Sequence, residues 1–386
     1  MPAFHRRHFV TTVAAATASL ATPTWLRAQP VLKIGVTLPL SGAPTVRNAI
    51  QAGATADVGL DFLAGFQQAV AAERRGLPIE VLELDDAYKP EQAAANVEAL
   101  ARQDVVAISG LWSTEHAQAA LPVAARLRLP VIGMRSSAAE LRRAENPWAF
   151  HLKASDADEL SAVLKTFTSM SLPRVGVLYV DGPGHRELLK QVQGSGASIT
   201  RALAVDPTSA DKLAAAAREI VATPGTQSVL LLLPTEAVVD TMMELRGRGN
   251  TYMSPVCTLS QVISRPFAES RERALNGLGV ASPFSNPAFS RAEVAVRFRE
   301  AMIERDLDAL TRSFSAFEGF VYGSVITRTL VEMKAKAAPT RQTLAAALRG
   351  RQMNLGGLPI RFDERQVGHQ AVHLLYKYSA EGALKA

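Results

Sequence analysis

IEVLELDDAYKPEQAAANVEALARQDVVAISG, residues 79–110, holds the reading that decides the fold. A short run rich in Ile, Val and Leu (79–84) gives way to Tyr88-Lys89-Pro90-Glu91, an ordinary helix start. After a helical stretch over 89–103 comes a second apolar run, 105–109. Strand, helix and strand within about 30 residues make a βαβ unit, and that crossover forces the two strands to be parallel.

The same alternation continues on both sides. Further short apolar runs predict strands at 31–38, 130–134, 174–180, 198–205, 228–233, 253–257 and 277–281, each nearly continuous in Val, Ile and Leu, as strands buried on both faces are. Helices are expected at 61–74, 115–128, 156–170, 184–194, 209–223, 235–247, 287–305, 316–336 and 340–349; in 156–170, Leu160, Val163, Leu164 and Phe167 share one face behind the cap Ser155. The strand spacing of 31–134 recurs in 174–281, so the chain reads as two αβα lobes with mainly parallel sheets. Residues 358–362 and 371–378 read as a closing β-hairpin around 363–368.

The first 28 residues stand apart. His5, Arg6, Arg7 and His8 precede an uncharged run over 9–20 that is too short to span a bilayer, and Leu26-Arg27-Ala28 ends it with a cleavage pattern, so 1–28 reads as an export signal cut near Ala28. Arg6-Arg7 followed by Phe9 is similar to a twin-arginine signal, leaving the Sec and twin-arginine routes both open. Removing its three arginines and no acid takes the formal charge from +6 to +3, too little for a nucleic-acid footprint. The composition of the 386-residue sequence, 48% hydrophobic and 20% charged, together with the export signal, reads as a soluble globular protein in an exported compartment, most simply a periplasm. The single cysteine, Cys257, reads as a small buried apolar residue.

Catalytic signatures are absent from the sequence. It has no GxSxG elbow, no phosphate-binding GxxxxGK[ST] and no GxGxxG, and Gly194-Ser195-Gly196 reads as a turn closing a helix. His369 and His373 have the spacing of a helical zinc pair, but Gln370 replaces the required glutamate and the run alternates like a strand. No metal or cofactor site is read. Glu83, Asp85 and Asp86 cluster at the end of a strand and take a structural reading.

Three loops at the carboxyl ends of first-lobe strands carry binding chemistry: one ends at Ser41, one holds Trp112, Ser113 and Thr114, and one holds Arg135, Ser136 and Ser137. Ligands of parallel sheets lie beyond such ends, where hydroxyls and helix N-termini favour an anion. Trp112 offers a stacking face and Arg135 a partner for a carboxylate. Ser137 with Glu140 also reads as a capping box, and Ser113 or Thr114 as the cap of the following helix.

KIGVTLPLSG (33–42), LDDAYKPEQAAANVEALARQDVVAISG (84–110), ALPVAARLRLPVIG (120–133), FHLKASDADE (150–159), RVGVLYVDGPGHRELL (174–189), SFSAFEGFVYGSVITRTLVE (313–332) and LGGLPIRF (355–362) follow one another in an order that resembles the leucine/isoleucine/valine-binding protein family of periplasmic substrate-binding proteins. The resemblance implies a type I periplasmic-binding fold with a three-stranded hinge. Lobe 1 would take 29–150 and 283–340, lobe 2 would take 151–282 and 341–386, and the crossings would fall near 151–153, 281–283 and 354–358. It further implies a monomer without enzymatic activity, binding a small carboxylate, amide or amino-acid-like solute and delivering it to an ABC permease in the inner membrane; a periplasmic sensor presenting solute to a membrane receptor is the alternative. Ser113, Thr114, Ser136 and Ser137 match the positions that hold a ligand carboxylate. The sequence departs from the family where a glutamate holding the ligand's amine would follow the 253–257 strand, since Thr258-Leu259-Ser260-Gln261 stands there. An aromatic residue is likewise replaced within 181–184, and the 43–58 stretch departs from the usual first loop. Asp181 and Glu236 are the candidates to meet an amine; without one, the solute is an acid or amide lacking it.

Overall fold

The computed structural model describes residues 30–41, 58–142, 146–247, 249, 252–334, 338–364 and 366–386. The expected export signal and most of the 43–58 stretch lie outside the described residues. The first half comprises β1 (Leu32–Leu38), α1 (Val58–Glu73), β2 (Ile79–Asp85), α2 (Pro90–Arg102), β3 (Ala107–Gly110), α3 (Thr114–Arg126), β4 (Val131–Met134) and β5 (Ala149–Phe150). These five strands are parallel in the order β2-β1-β3-β4-β5. β3 and β4 are buried at every residue, as strands covered on both faces must be, while the edge strand β2 turns Glu80 and Glu83 to solvent.

A second sheet follows from α4 (Asp156–Ser169), β6 (Arg174–Tyr179), α5 (Pro183–Gln193), β7 (Ser198–Ala204), α6 (Ala210–Ala222), β8 (Ser228–Leu232), α7 (Thr235–Arg246), β9 (Val256–Thr258), α8 (Arg265–Glu269) and β10 (Gly279–Ser282). The chain then returns to the first sheet through α9 (Glu293–Ile303), α10 (Phe314–Lys334), α11 (Arg341–Leu348), β11 (Gln352–Asn354) and β12 (Pro359–Arg361). It finishes on the second with β13 (His373–Tyr378) and β14 (Ala383–Lys385), giving the order β14-β13-β10-β9-β8-β6-β7. The strands from β6 to β10 are parallel, and β13 and β14 extend the edge antiparallel.

Two expectations are corrected near the C-terminus. The hairpin of 358–362 with 371–378 does not form: β12 pairs with β11, and β13 pairs with β10. Leu355, Leu358, Ile360 and Phe362 are buried in the first core and Leu375 and Leu384 in the second, so burial pulls the two runs apart. The turn that replaces the expected one is built by Asn354 Oδ1, which accepts from Gly356 N at 2.9 Å and Gly357 N at 2.8 Å, both glycines being left-handed. The allocation of 341–362 to the second lobe also differs from the packing. Leu344, Ala345 and Leu348 of α11 lie in the first core, and Arg341 reaches Ala101 O at 2.8 Å and Val105 O at 2.9 Å. The last passage between sheets therefore comes after β12, where Gly368 N donates to His151 O at 2.7 Å and runs beside the first passage.

Each sheet is sandwiched between two apolar clusters. The largest contact between helices is that of α10 with α1, and it is a backbone contact. A Cβ at Gly319 would lie 2.0 Å from Phe62 O, and one at Gly65 would lie 1.8 Å from Ala316 O. Only glycine lets the axes come this close, and α10 is consequently buried almost continuously from Phe314 to Leu330. Phe314 itself belongs to the apolar core of the second sheet, so the start of α10 joins the two halves. Gly319→Ala should destabilise the protein by about 2 kcal/mol, overpacking outweighing the gain in helix propensity. Urea unfolding of the variant and its parent measures this, and equal midpoints would mean that the two helices separate freely.

Candidate functional site

The loops after β1, β3 and β4 leave the first sheet at one end, and side-chain hydrogen bonds fix their shapes. Asp85, closing β2, accepts at Oδ1 from Leu40 N (2.8 Å), Ala87 N (2.8 Å) and Ser41 N (3.2 Å), and at Oδ2 from Ser41 Oγ. Partial burial pushes the Asp85 carboxyl up, but the bonds from Ser41, Leu40 and Ala87 outweigh it and hold its pKa below the ordinary value. The Ser41 hydroxyl is therefore committed to the fold.

After β3 the chain turns through left-handed Gly110 and Leu111 into α3, which Ser113 caps. Ser113 Oγ donates to Glu115 Oε2 at 2.5 Å and lies 2.9 Å from His116 Nδ1; this bond is the main reason the Glu115 pKa is lowered. Thr114 Oγ1 and Ser136 Oγ stand 2.9 Å apart and join the β3 and β4 loops. Trp112 lies under the Arg135 guanidinium, whose Cζ is 4.8 Å from the ring centre, and meets the edge of Tyr88. Four of the expected residues, Trp112, Thr114, Arg135 and Ser136, are thus brought together.

Arg135 differs from the sequence expectation. Its Nη1 is 3.0 Å from Glu318 Oε2 and donates to Ser315 Oγ at 2.9 Å, so its charge is met inside the protein by α10. Glu318 Oε1 also receives Lys153 Nζ at 2.9 Å and the Tyr322 hydroxyl at 2.6 Å. Burial pushes the Glu318 carboxyl up, but the opposite charges of Lys153 and Arg135 prevail and lower its pKa, while burial depresses Lys153. A buried guanidinium needs an anion, and Glu318 supplies it.

The capping box expected of Ser137 and Glu140 is replaced by a contact from the second half. The short turn Ala139–Leu141 has no side chain from its own loop on its first amide; Ala139 N donates to Asp156 Oδ1 at 2.9 Å, and Asp156 N to Ser137 O at 3.0 Å. Glu140 instead accepts from Gln118 at 2.6 Å. The N-terminus of α4 is thereby stitched to the β4 loop, and burial raises the Asp156 pKa.

Asp181 and Glu236 do not join this group. Asp181 is exposed and held bidentately by Arg186 at 2.7 and 2.6 Å, and Glu236 sits half-buried in the first turn of α7. The acid that the sequence reading missed is Glu159. Fully buried, it accepts from Ser260 N at 2.7 Å and Ser260 Oγ at 2.6 Å, which places a carboxylate at the loop after β9 although none occurs in that loop. Its signal was present: Glu159 lies one turn before Val163 on the apolar stripe of α4. Lys153 and Glu318, charges within apolar surroundings, carried the same kind of signal. His369 stacks on Phe284 and His373 opens β13 as a strand residue; Cys257 is buried, its thiol pushed up to about 12 by desolvation. Among the described residues no group of three metal-ligating side chains comes together.

Burial pushes the Glu159 carboxyl up to about 7, against an ordinary value of 4.5. The folded protein then holds a proton that the unfolded chain releases, so this contribution is complete below pH 4.5 and lost as pH rises through 7. Relative to the parent, Glu159→Gln should gain up to ~3 kcal/mol of stability on going from about pH 5 to about pH 8. Urea titrations at both values test it, and a difference independent of pH would show that Glu159 stays ionised.

The sequence from residue 31 to 383 matches the family model described as periplasmic binding protein. No curated protein sequence matches the chain. Among solved structures, an extracellular ligand-binding receptor from Verminephrobacter eiseniae is similar with a TM-score of 0.76 at 20% identity, over 92% of this chain and 100% of that one. A possible leucine/isoleucine/valine-binding protein from Rhodopirellula baltica gives 0.74 at 20%, over 92% and 96%. A solute-binding protein of an ABC transporter from R. palustris, in complex with 4-hydroxybenzoate, gives 0.73 at 16%, over 92% and 95%. At these identities the likeness shows a shared fold, and with the family match over nearly the whole described chain the conclusion is that this protein belongs to the periplasmic binding protein family, of the type I, leucine/isoleucine/valine-binding kind.

Proposed function

We propose that this protein is the exported solute-binding component of an ABC-type importer, without chemistry of its own. It takes a small carboxylate, amide or amino-acid-like solute between its two halves in the periplasm and delivers it to a membrane permease. The observation that carries this reading is the convergence of Trp112, Thr114 and Ser136 on the β3 and β4 loops, beside the point where α4 from the second half meets the first. Hydroxyls, an indole face and the α3 N-terminus are the groups that orient a small polar solute, and family membership supports closure of two halves about it. Bound 4-hydroxybenzoate in the R. palustris relative makes acids without an amine part of the solute class to be tried, beside leucine and valine.

A thermal-shift screen of those solutes, followed by calorimetry, tests the reading. A solute at a thousand times its dissociation constant adds ~4 kcal/mol of stability, which raises the melting temperature by several degrees. Trp112→Ala and Thr114→Val should each weaken the binding of that solute by roughly tenfold, each losing about one direct contact, while the ligand-free protein still unfolds in one cooperative transition. Unchanged affinity in both variants would move the solute elsewhere.

A further inference from the structure

Three arginines show what the side-on edge of a guanidinium does in this protein. Arg186 donates from Nε and Nη2 to the two oxygens of Asp181 at 2.7 and 2.6 Å. Arg328 uses the same edge on the two oxygens of Glu73 at 2.9 and 2.8 Å, and Arg201 turns it on the single oxygen Glu219 Oε1 at 2.9 and 2.5 Å. The edge matches a carboxylate in width and direction, and such bidentate pairs are the strongest charge-assisted hydrogen bonds a side chain makes.

Arg142 has this edge turned inward without an acceptor. Its Nη1 donates to Lys153 O at 2.8 Å, but Nε and Nη2 are shut off from solvent and have no hydrogen-bond partner among the described residues. The charges of Asp158, Asp156 and Glu159 act on it, but none of their oxygens accepts from this edge, and each acid holds other donors. Asp156 accepts from Ala139 N and Ala157 N, Asp158 from the amide and hydroxyl of Ser155, and Glu159 from Ser260. Burial lowers the Arg142 pKa although the charges of Asp158, Asp156 and Glu159 oppose it, yet an arginine stays charged in a protein, and buried N–H donors without an acceptor are costly. The position is also telling. Arg142 ends the β4 loop that carries Arg135 and Ser136, and both guanidinium groups act on the buried Tyr322 hydroxyl from that loop. Arg135 spends its charge on Glu318; Arg142 does not.

We infer that Arg142, through Nε and Nη2, is the residue that receives the solute's carboxylate, so that the solute class is an acid and the corresponding amides are rejected. This rests on the reading that the loops of the first sheet hold a solute and that the two halves part to admit it, since the edge is closed to solvent in this structure. It differs from the sequence expectation, in which Arg135 was the charged partner beside Ser113, Thr114, Ser136 and Ser137, and it adds a charged partner to the hydroxyls of the β3 and β4 loops.

The experiment compares the parent with Arg142→Met, Arg142→Lys and Arg135→Met in thermal unfolding, first without ligand and then with two acid and amide pairs, benzoate with benzamide and isovalerate with isovaleramide. Without ligand, Arg142→Met should melt no lower than the parent, because buried donors without an acceptor are removed with it, whereas Arg135→Met, which leaves Glu318 short of a partner, should melt several degrees lower. An acid that stabilises the parent should lose that effect in Arg142→Met and bind roughly tenfold more weakly to Arg142→Lys, which keeps the charge without the fork, and its amide should do little to any of them. A drop of several degrees in ligand-free Arg142→Met, or equal stabilisation of parent and Arg142→Met by the same acid, would overturn the assignment. If all four probes leave the parent unmoved, uptake of these solutes is refuted, and the ligand-free comparison of the Arg142 and Arg135 variants still decides whether Arg142 is a structural residue.

Discussion

Glu318 holds the two halves of the molecule in one electrostatic unit. Its carboxylate sits on α10 at the glycine-dependent contact with α1, and its oxygens meet Arg135 from the β4 loop and Lys153 from the first passage between sheets. Each of these charges is nearly sealed from water, so none is tolerable without the others, and loss of one partner from a buried pair costs ~3–5 kcal/mol. The loop that bears Ser136, the crossing that leads into α4 and the long buried helix are consequently fixed relative to one another by one carboxylate. Tyr322 adds its hydroxyl one helical turn along.

Around that unit the polar groups sort by whether the fold already uses them. Ser41 serves Asp85, and Asp181 serves Arg186. Ser113 serves the α3 cap. At the meeting of the two halves stand the Trp112 indole under Arg135, the hydroxyl pair of Thr114 and Ser136, and the guanidinium edge of Arg142, and of these the last has no hydrogen-bond partner among the described residues. A solute site of this kind needs few convergent polar groups provided the surrounding charges are quenched, because any unpaired neighbour would compete for the ligand. Glu159 shows the same economy: the loop after β9 lacks an acid in its own sequence, and α4 brings one to Ser260.

Much of this was legible in the order of residues. Strands covered on both faces must be apolar throughout, so β1, β3, β4 and β8 announce themselves as runs, and the helices between them make the sheets parallel. The alternation therefore determined the α/β class, the two sheets and the loops at their carboxyl ends, with Trp112, Thr114, Arg135 and Ser136 among them. Only the tertiary structure decided which core claims 341–362, since Ile360 and Leu375 are equally apolar and only position separates them. It alone decided that Arg135 belongs to Glu318, across 183 positions of sequence, while Arg142 keeps its edge for another acceptor. The physical reason is that hydrophobic burial acts through local periodicity, which a sequence displays, whereas a buried charge is paired by proximity in space, which it does not.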